Sequence, residues 1–199
     1  MIIYGINPVL EALKAGRVRE VRVDGAARDR VREIRALAEA NRVPVRVVSA
    51  QDLERSARGG VHQGVAADLA DAPDYSVQDL VSSAQGAPLI VVLDGIEDPH
   101  NLGAILRTVD ASGADGVIRQ TRRAARLDGA AAKASAGAVS HVRVASVVNI
   151  ARAIGELKDA GVWTIGLAAD APEPYDAIDF TLPSALVLGA EGEGLRRLV

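Results

Sequence analysis

Apolar and polar positions follow two styles along this chain, and the change comes near residue 88. In the first 70 residues the apolar runs are short and interrupted. VREVRV (18–23) alternates as a half-buried strand does, and VPVRVV (43–48) reads as a second strand. An Arg- and Ala-rich stretch between them, about 28–41, predicts a helix. Near the start, Asn7 is placed to cap a helix with Pro8 at its first position and Gly16 at its end. Ser49 opens a short helix to Arg58, and GGVHQGVAADLA (59–70) is a glycine-punctuated turn running into a strand. Residues 71–87 collect turn residues, an acidic run and a short helix capped by Ser76, and read as a linker.

From Pro88 the apolar runs lengthen. PLIVVLDGI is nearly continuous, as a parallel strand buried on both faces should be. A helix follows from Pro99 to about Ser112 with Asp98 as its cap, then a strand at 116–120, a loop rich in arginine and a small-residue helix over about 128–136. HVRVA (141–145), VWTIGLAA (162–169) and SALVLGAE (184–191) predict three more strands, with a helix at 149–161 closed by Gly161. Alternation of this kind predicts an open parallel sheet flanked by helices. The expected class is therefore α/β: a small N-terminal α/β domain over 1–70, a linker over 71–87, and a parallel-sheet domain over 88–199.

Composition narrows the function classes. With 49% hydrophobic and 25% charged residues, the 199-residue chain is neither a disordered tail nor a fibre. No apolar run approaches the roughly 20 residues of a membrane span, and the N-terminus lacks the basic and apolar regions of a signal peptide, so a cytoplasmic protein is expected. There is no cysteine, hence no disulfide, thiolate metal site or cysteine nucleophile. His62, His100 and His141 lack ligand spacing, so no metal is expected. The net charge of −3 hides a division: 12 bases against 9 acids in residues 1–70, and 11 against 14 in residues 88–199. All bases but Lys14, Lys133 and Lys158 are arginine, the side chain suited to bidentate phosphate contacts, although genomic base composition also enriches arginine. The 3% aromatic content argues against a surface that stacks many bases.

Ligands of open parallel sheets sit beyond the carboxyl ends of strands, and two unusual loops leave strands here. The first, LDGIEDPHNLGAILRT (93–108), offers a helix start open to close approach at Gly103, with Asn101 and Arg107 on roughly opposed sides of the helix. The second, LVLGAEGEGL (186–195), has three glycines whose spacing is not the dinucleotide fingerprint. Its backbone groups could read an adenine, whereas Glu191 and Glu193 would repel a pyrophosphate. Plain readings stand beside both: a cap with a solvated arginine, and a tight turn. RQTRRAAR (119–126) holds Arg119, Arg122, Arg123 and Arg126, either a phosphate-contact loop or a solvated run. AAKASAGA (131–138) is a small-residue run that lets backbones approach closely.

In this order and spacing, the segments resemble the SpoU class of RNA ribose 2′-O-methyltransferases, of the SPOUT superfamily with a trefoil-knotted α/β domain. YGINPVLEAL and GGVHQGVAA resemble the family's N-terminal RNA-binding domain; LDGIEDPHNLGAILRT and LVLGAEGEGL resemble its first and second motifs, with AKASAGA between them. The resemblance implies methyl transfer from S-adenosylmethionine to a ribose 2′-hydroxyl of RNA, first of all a guanosine of 23S ribosomal RNA, with other ribosomal or transfer RNA riboses as alternatives. It implies a homodimer. It places Asn101, Arg107 and Glu191 at the catalytic site, and Leu188, Gly189 and Gly192 in the cofactor loop. Arg119, Arg122, Arg123 and Arg126 are the expected RNA contacts.

The family's third motif is not reached before Val199. The expectation is therefore a fragment of a longer protein, or a variant with an incomplete site, that binds S-adenosylmethionine poorly. Two other readings stay open at this point: an RNA-binding module that lost catalysis with that motif, and a nucleotide-dependent enzyme of ordinary Rossmann type.

Overall fold

The computed structural model describes residues 1–27, 29, 31–70, 73–197 and 199. In chain order, the first elements are β1 (Ile2–Tyr4), α1 (Ile6–Lys14), β2 (Val18–Asp24), α2 (Arg32–Ala40), β3 (Val45–Val48), α3 (Ala50–Ala57) and β4 (Val65–Leu69). They are followed by α4 (Val77–Ser82), β5 (Leu89–Leu93), α5 (Pro99–Ser112), β6 (Gly116–Gln120) and α6 (Gly129–Ala134). Last come β7 (Val144–Val147), α7 (Ile150–Asp159), β8 (Trp163–Gly166) and β9 (Ser184–Leu188). No helix among the described residues is long and apolar enough to cross a membrane.

The chain packs as two compact units that are not contiguous in sequence. One holds Met1–Pro73, Pro99–Arg107 and Arg126–His141; the other holds Asp74–Asp98, Thr108–Ala125 and Val142–Val199. The boundaries expected from the chain, at 70 and 88, follow sequence texture, whereas these units follow packing.

The first unit is built on a mixed four-stranded sheet in the order β1-β4-β2-β3, with β2 and β3 parallel and the other pairs antiparallel. Ile3, Val21, Val23 and Val65 point into its core with Leu13, Ile34 and Leu53 from the helices, all fully buried. Helix α1 does not start as expected. Its N-cap is Gly5, at φ 96°, rather than Asn7, and Pro8 is its third residue. The free N–H of Ile6 is satisfied by Gln63 Oε1 at 3.0 Å, a cap delivered from 57 residues away. Strand β1 was not expected either, because three residues carry no period. Helix α2 is shorter than the expected 28–41; its proposed opening residues Arg28 and Arg30, and the linker's Asp71 and Ala72, lie outside the described residues. Helix α3 begins as expected at Ser49, in a reciprocal capping box with Asp52.

The small-residue run has a packing role inside this unit. A Cβ on Gly103 would stand 2.4 Å from Ala134 Cβ and 2.8 Å from the main-chain nitrogen of Ser135. Only a residue without a side chain lets α5 lie this close to the end of α6. The Asp128 carboxylate, accepting from the Ala130 and Ala131 N–H groups, fixes the start of α6.

The second unit is a five-stranded, all-parallel sheet in the order β7-β6-β5-β9-β8. Its central strands are buried, as their unbroken apolar runs require. Ile90, Val92, Ile118 and Ala185 form one face, packed with Leu80 of α4 and Ile154 and Leu157 of α7. Strand β7 starts at Val144, three residues after the expected His141, which is instead the C-cap of a short 3-10 turn over Ala138–Ser140. The capping box of Ser76 with Asp79, and Asn149 at the start of α7, are local signals met in place.

Gly103→Val should destabilise the protein by about 1–3 kcal/mol, because the added side chain meets main-chain atoms that cannot swing away. Urea unfolding followed by circular dichroism measures it; an unchanged midpoint would remove the close approach as a constraint.

Candidate active site

The strand order reverses beside β5. β6 and β7 lie on one side of it, β9 and β8 on the other. At such a switch point the loops leaving neighbouring strands part and open a crevice at the carboxyl ends. Leu93 and Leu188, the last residues of β5 and β9, are register partners, so both glycine-containing motifs leave the sheet side by side.

The turn after β9 is a closed structure. Ala190 N–H donates to Gly194 O at 3.0 Å and Gly194 N–H donates back to Ala190 O at 2.8 Å. Gly192 and Gly194 have φ of 78° and 69°, left-handed backbone that glycine adopts freely. A Cβ at Gly189 would lie 2.1 Å from the carbonyl carbon of Gly194, so the glycine lets the turn fold back on its own strand. Leu188 and Gly189 are half-buried, whereas Glu191, Gly192 and Glu193 are exposed.

A charge-assisted network anchors the turn to β5, and sequence reading missed it. Asp94, directly after β5, is completely buried. Its carboxylate accepts from Arg196 N–H at 3.0 Å and from Arg196 Nε at 2.7 Å, while its own N–H donates to Leu188 O at 2.8 Å. Arg196 also pairs through Nη2 with the same carboxylate. The bond to Asp94 raises the Arg196 pKa above its ordinary value. Two residues 102 apart in sequence carry no local pattern, so no spacing signal could have found them.

The arginine loop is held from below. Ala125 N–H donates to Ile96 O at 2.7 Å, and Gln120 Nε2 donates to Arg123 O at 2.7 Å. Arg122 and Arg123 are exposed, and so is Arg126, which falls in the first unit. Arg119 is the correction. It was expected beside the others as an RNA contact, but it is only 9% exposed, and its Nη2 donates to Ala125 O at 2.6 Å. Burial pushes its pKa down from the ordinary value. Its position in β6 turns the side chain inward, so it shapes the loop that its neighbours display.

Asn101 and Arg107 lie on α5 in the first unit, Asn101 half-buried and Arg107 exposed. Leu102 and Leu106 beside them are buried and set the inward face of the helix. The second unit brings Leu188, Gly189, Glu191 and Gly192 together in one turn, with Arg122 and Arg123 on the loop after β6.

The residues of the turn suit a nucleoside that carries no phosphate. Leu188 offers a half-buried apolar surface, Gly189 and Gly192 offer main chain uncovered by side chains, and two carboxylates stand where a pyrophosphate would be repelled.

Comparison with known proteins agrees. Residues 88–199 match the family model described as the SpoU rRNA Methylase family, and residues 2–75 match the one for RNA 2'-O ribose methyltransferase substrate binding. The chain is 38% identical to the putative TrmH family tRNA/rRNA methyltransferase YacO of Bacillus subtilis, over 99% of this chain and 81% of that protein. It is 39% identical to the 23S rRNA (guanosine-2'-O-)-methyltransferase RlmB of Yersinia pestis, over 99% of this chain and 82% of that protein. The AdoMet-bound rRNA methyltransferase of Sinorhizobium meliloti superposes with a TM-score of 0.78 at 25% identity, over 98% of this chain and 72% of that one.

The anchor predicts an asymmetry. Arg196→Ala strands a buried carboxylate and should cost about 3 kcal/mol. Asp94→Ala should cost about 1–2 kcal/mol, since the orphaned Arg196 side chain is 52% exposed and can hydrate. Urea unfolding of the two variants checks the order; equal losses would mean that Asp94 is hydrated.

Proposed function

Since the chain belongs to the SpoU rRNA methylase family of RNA 2′-O-ribose methyltransferases, which use S-adenosylmethionine, we propose that its target is a guanosine of 23S ribosomal RNA. The observation that carries this reading is the 37–39% identity, over nearly the whole chain, to three proteins named as 23S rRNA guanosine methyltransferases. The similar identity to proteins named for both transfer and ribosomal RNA supports a transfer RNA ribose as the second reading. In the proposed division, residues 1–70 bind RNA, 71–87 link, and 88–199 carry the chemistry. The enzyme acts in the cytoplasm as a homodimer.

When bound, the cofactor supplies a methyl group on a sulfonium, which an oxygen nucleophile can displace in line. The protein must align a ribose 2′-hydroxyl with that group and ease the loss of its proton. Leu188, Gly189 and Gly192 hold the adenosine part through apolar contact and main-chain groups. Asn101 and Arg107 act on the ribose side. A guanidinium holds its proton too tightly at neutral pH to be a good base. Arg107 therefore anchors an RNA phosphate and stabilises the negative charge that develops on the 2′-oxygen. Glu191, exposed in the turn after β9, is the orienting carboxylate of the catalytic site. Arg122, Arg123 and Arg126 contact phosphates and set the register of the RNA without reading its sequence.

Arg107→Ala should lower methyl transfer about 100-fold or more while the affinity for S-adenosylmethionine stays within about twofold. Single-turnover kinetics with calorimetry checks both, and unchanged turnover would discard the role. Replacing Arg122 and Arg123 by alanine should weaken RNA binding similarly for all sequences and flatten its salt dependence by about one unit of slope for each phosphate left unneutralised. A salt titration of RNA binding measures it, and an unchanged slope would rule out a phosphate role for both arginines.

A further inference from the structure

The glycine turn and the arginine loop are joined by a short relay of side chains. Arg196 follows the turn and donates twice to the buried Asp94 carboxylate, through its N–H and its Nε. Its Nη2 donates onward to Gln120 Oε1 at 2.8 Å, and Gln120 Nε2 donates to Arg123 O at 2.7 Å. Gln120 is only 5% exposed. Arginine can only donate, so the amide oxygen of Gln120 must face Arg196, and its NH₂ must then face the arginine loop. The direction of the relay is thereby set by chemistry. It ends on Arg123, whose φ of 50° is a left-handed conformation that residues with a side chain keep only when their surroundings hold them.

We propose that Gln120 and Arg196 are positioning residues that couple the cofactor turn to the RNA-contacting loop. Arg196 fixes the turn against Asp94 and, through Gln120, holds the Arg123 main chain, so that Arg122 and Arg123 are presented in a set geometry. Ordering them in advance removes an entropic cost from RNA binding. This inference rests on the reading of Arg122 and Arg123 as RNA contacts.

Gln120→Glu tests it selectively. A carboxylate still accepts from Arg196 but has no proton for the Arg123 carbonyl, so only the loop limb is cut; Gln120→Met cuts both limbs. Amide hydrogen exchange should quicken about fivefold or more across 121–125 in both variants, and across 189–195 in Gln120→Met alone. In Gln120→Glu the KM for RNA should rise about fivefold to tenfold, with kcat and the affinity for S-adenosylmethionine within about twofold. Unchanged exchange across 121–125 in both variants overturns the relay. Faster exchange with unaltered RNA affinity overturns the assignment of Arg122 and Arg123 to RNA, while leaving the relay as a structural tie. A parallel fall in kcat, RNA affinity, cofactor affinity and melting temperature would show that Gln120 is structural only, and overturns the positioning role.

Discussion

A carboxylate with no access to water must be answered by protein donors, and Asp94 meets that demand with the main chain and guanidinium of Arg196. The demand has consequences beyond the pair. Because Asp94 sits directly after β5, its partner must come to the carboxyl end of that strand, which brings the segment after β9 back over the sheet. The glycine turn is the connection that makes this return possible. A chain leaving β9 without glycine at 189 could not fold back on itself, since any side chain there would collide with the main chain of Gly194. Electrostatics and the absence of side chains thus act together on the same few residues.

The same economy appears at Gly103, where the lack of a Cβ lets α5 lie against the end of α6 within the first unit. Both motifs that mark this family contain a glycine selected by close approach. Asn101, half-buried, and Arg107, exposed, flank Gly103 on a helix whose buried Leu102 and Leu106 face the core.

The arginines after β6 show how charge is divided by a strand end. Arg119 lies inside the strand and is buried, with its guanidinium bonded to the carbonyl of Ala125. Arg122 and Arg123 lie past the end and face solvent. One run of like residues therefore serves two purposes: the inner one builds the loop that the outer ones decorate. Of the residues matched to the substrate-binding family model, 2–73 lie in a unit with its own mixed sheet and core.

Sequence by itself determined the features whose physics is local. The unbroken apolar runs at 89–93 and 185–188 specify buried parallel strands, because no alternation is compatible with burial on both faces. The capping boxes at Ser49 and Ser76 are legible because donor and acceptor lie three residues apart. The two motif loops were legible too, since glycine and proline restrict the chain wherever they stand. Tertiary structure decided the rest. The cap of α1 comes from Gln63, which displaced the local candidate Asn7, and Arg119 and Arg122 differ in burial although both belong to one basic run. Asp94 and Arg196 meet across 102 residues, a pairing that depends on which strand lies beside which. Local codes act through the few bonds that connect neighbours, whereas these partnerships arise only after the sheet has chosen its strand order.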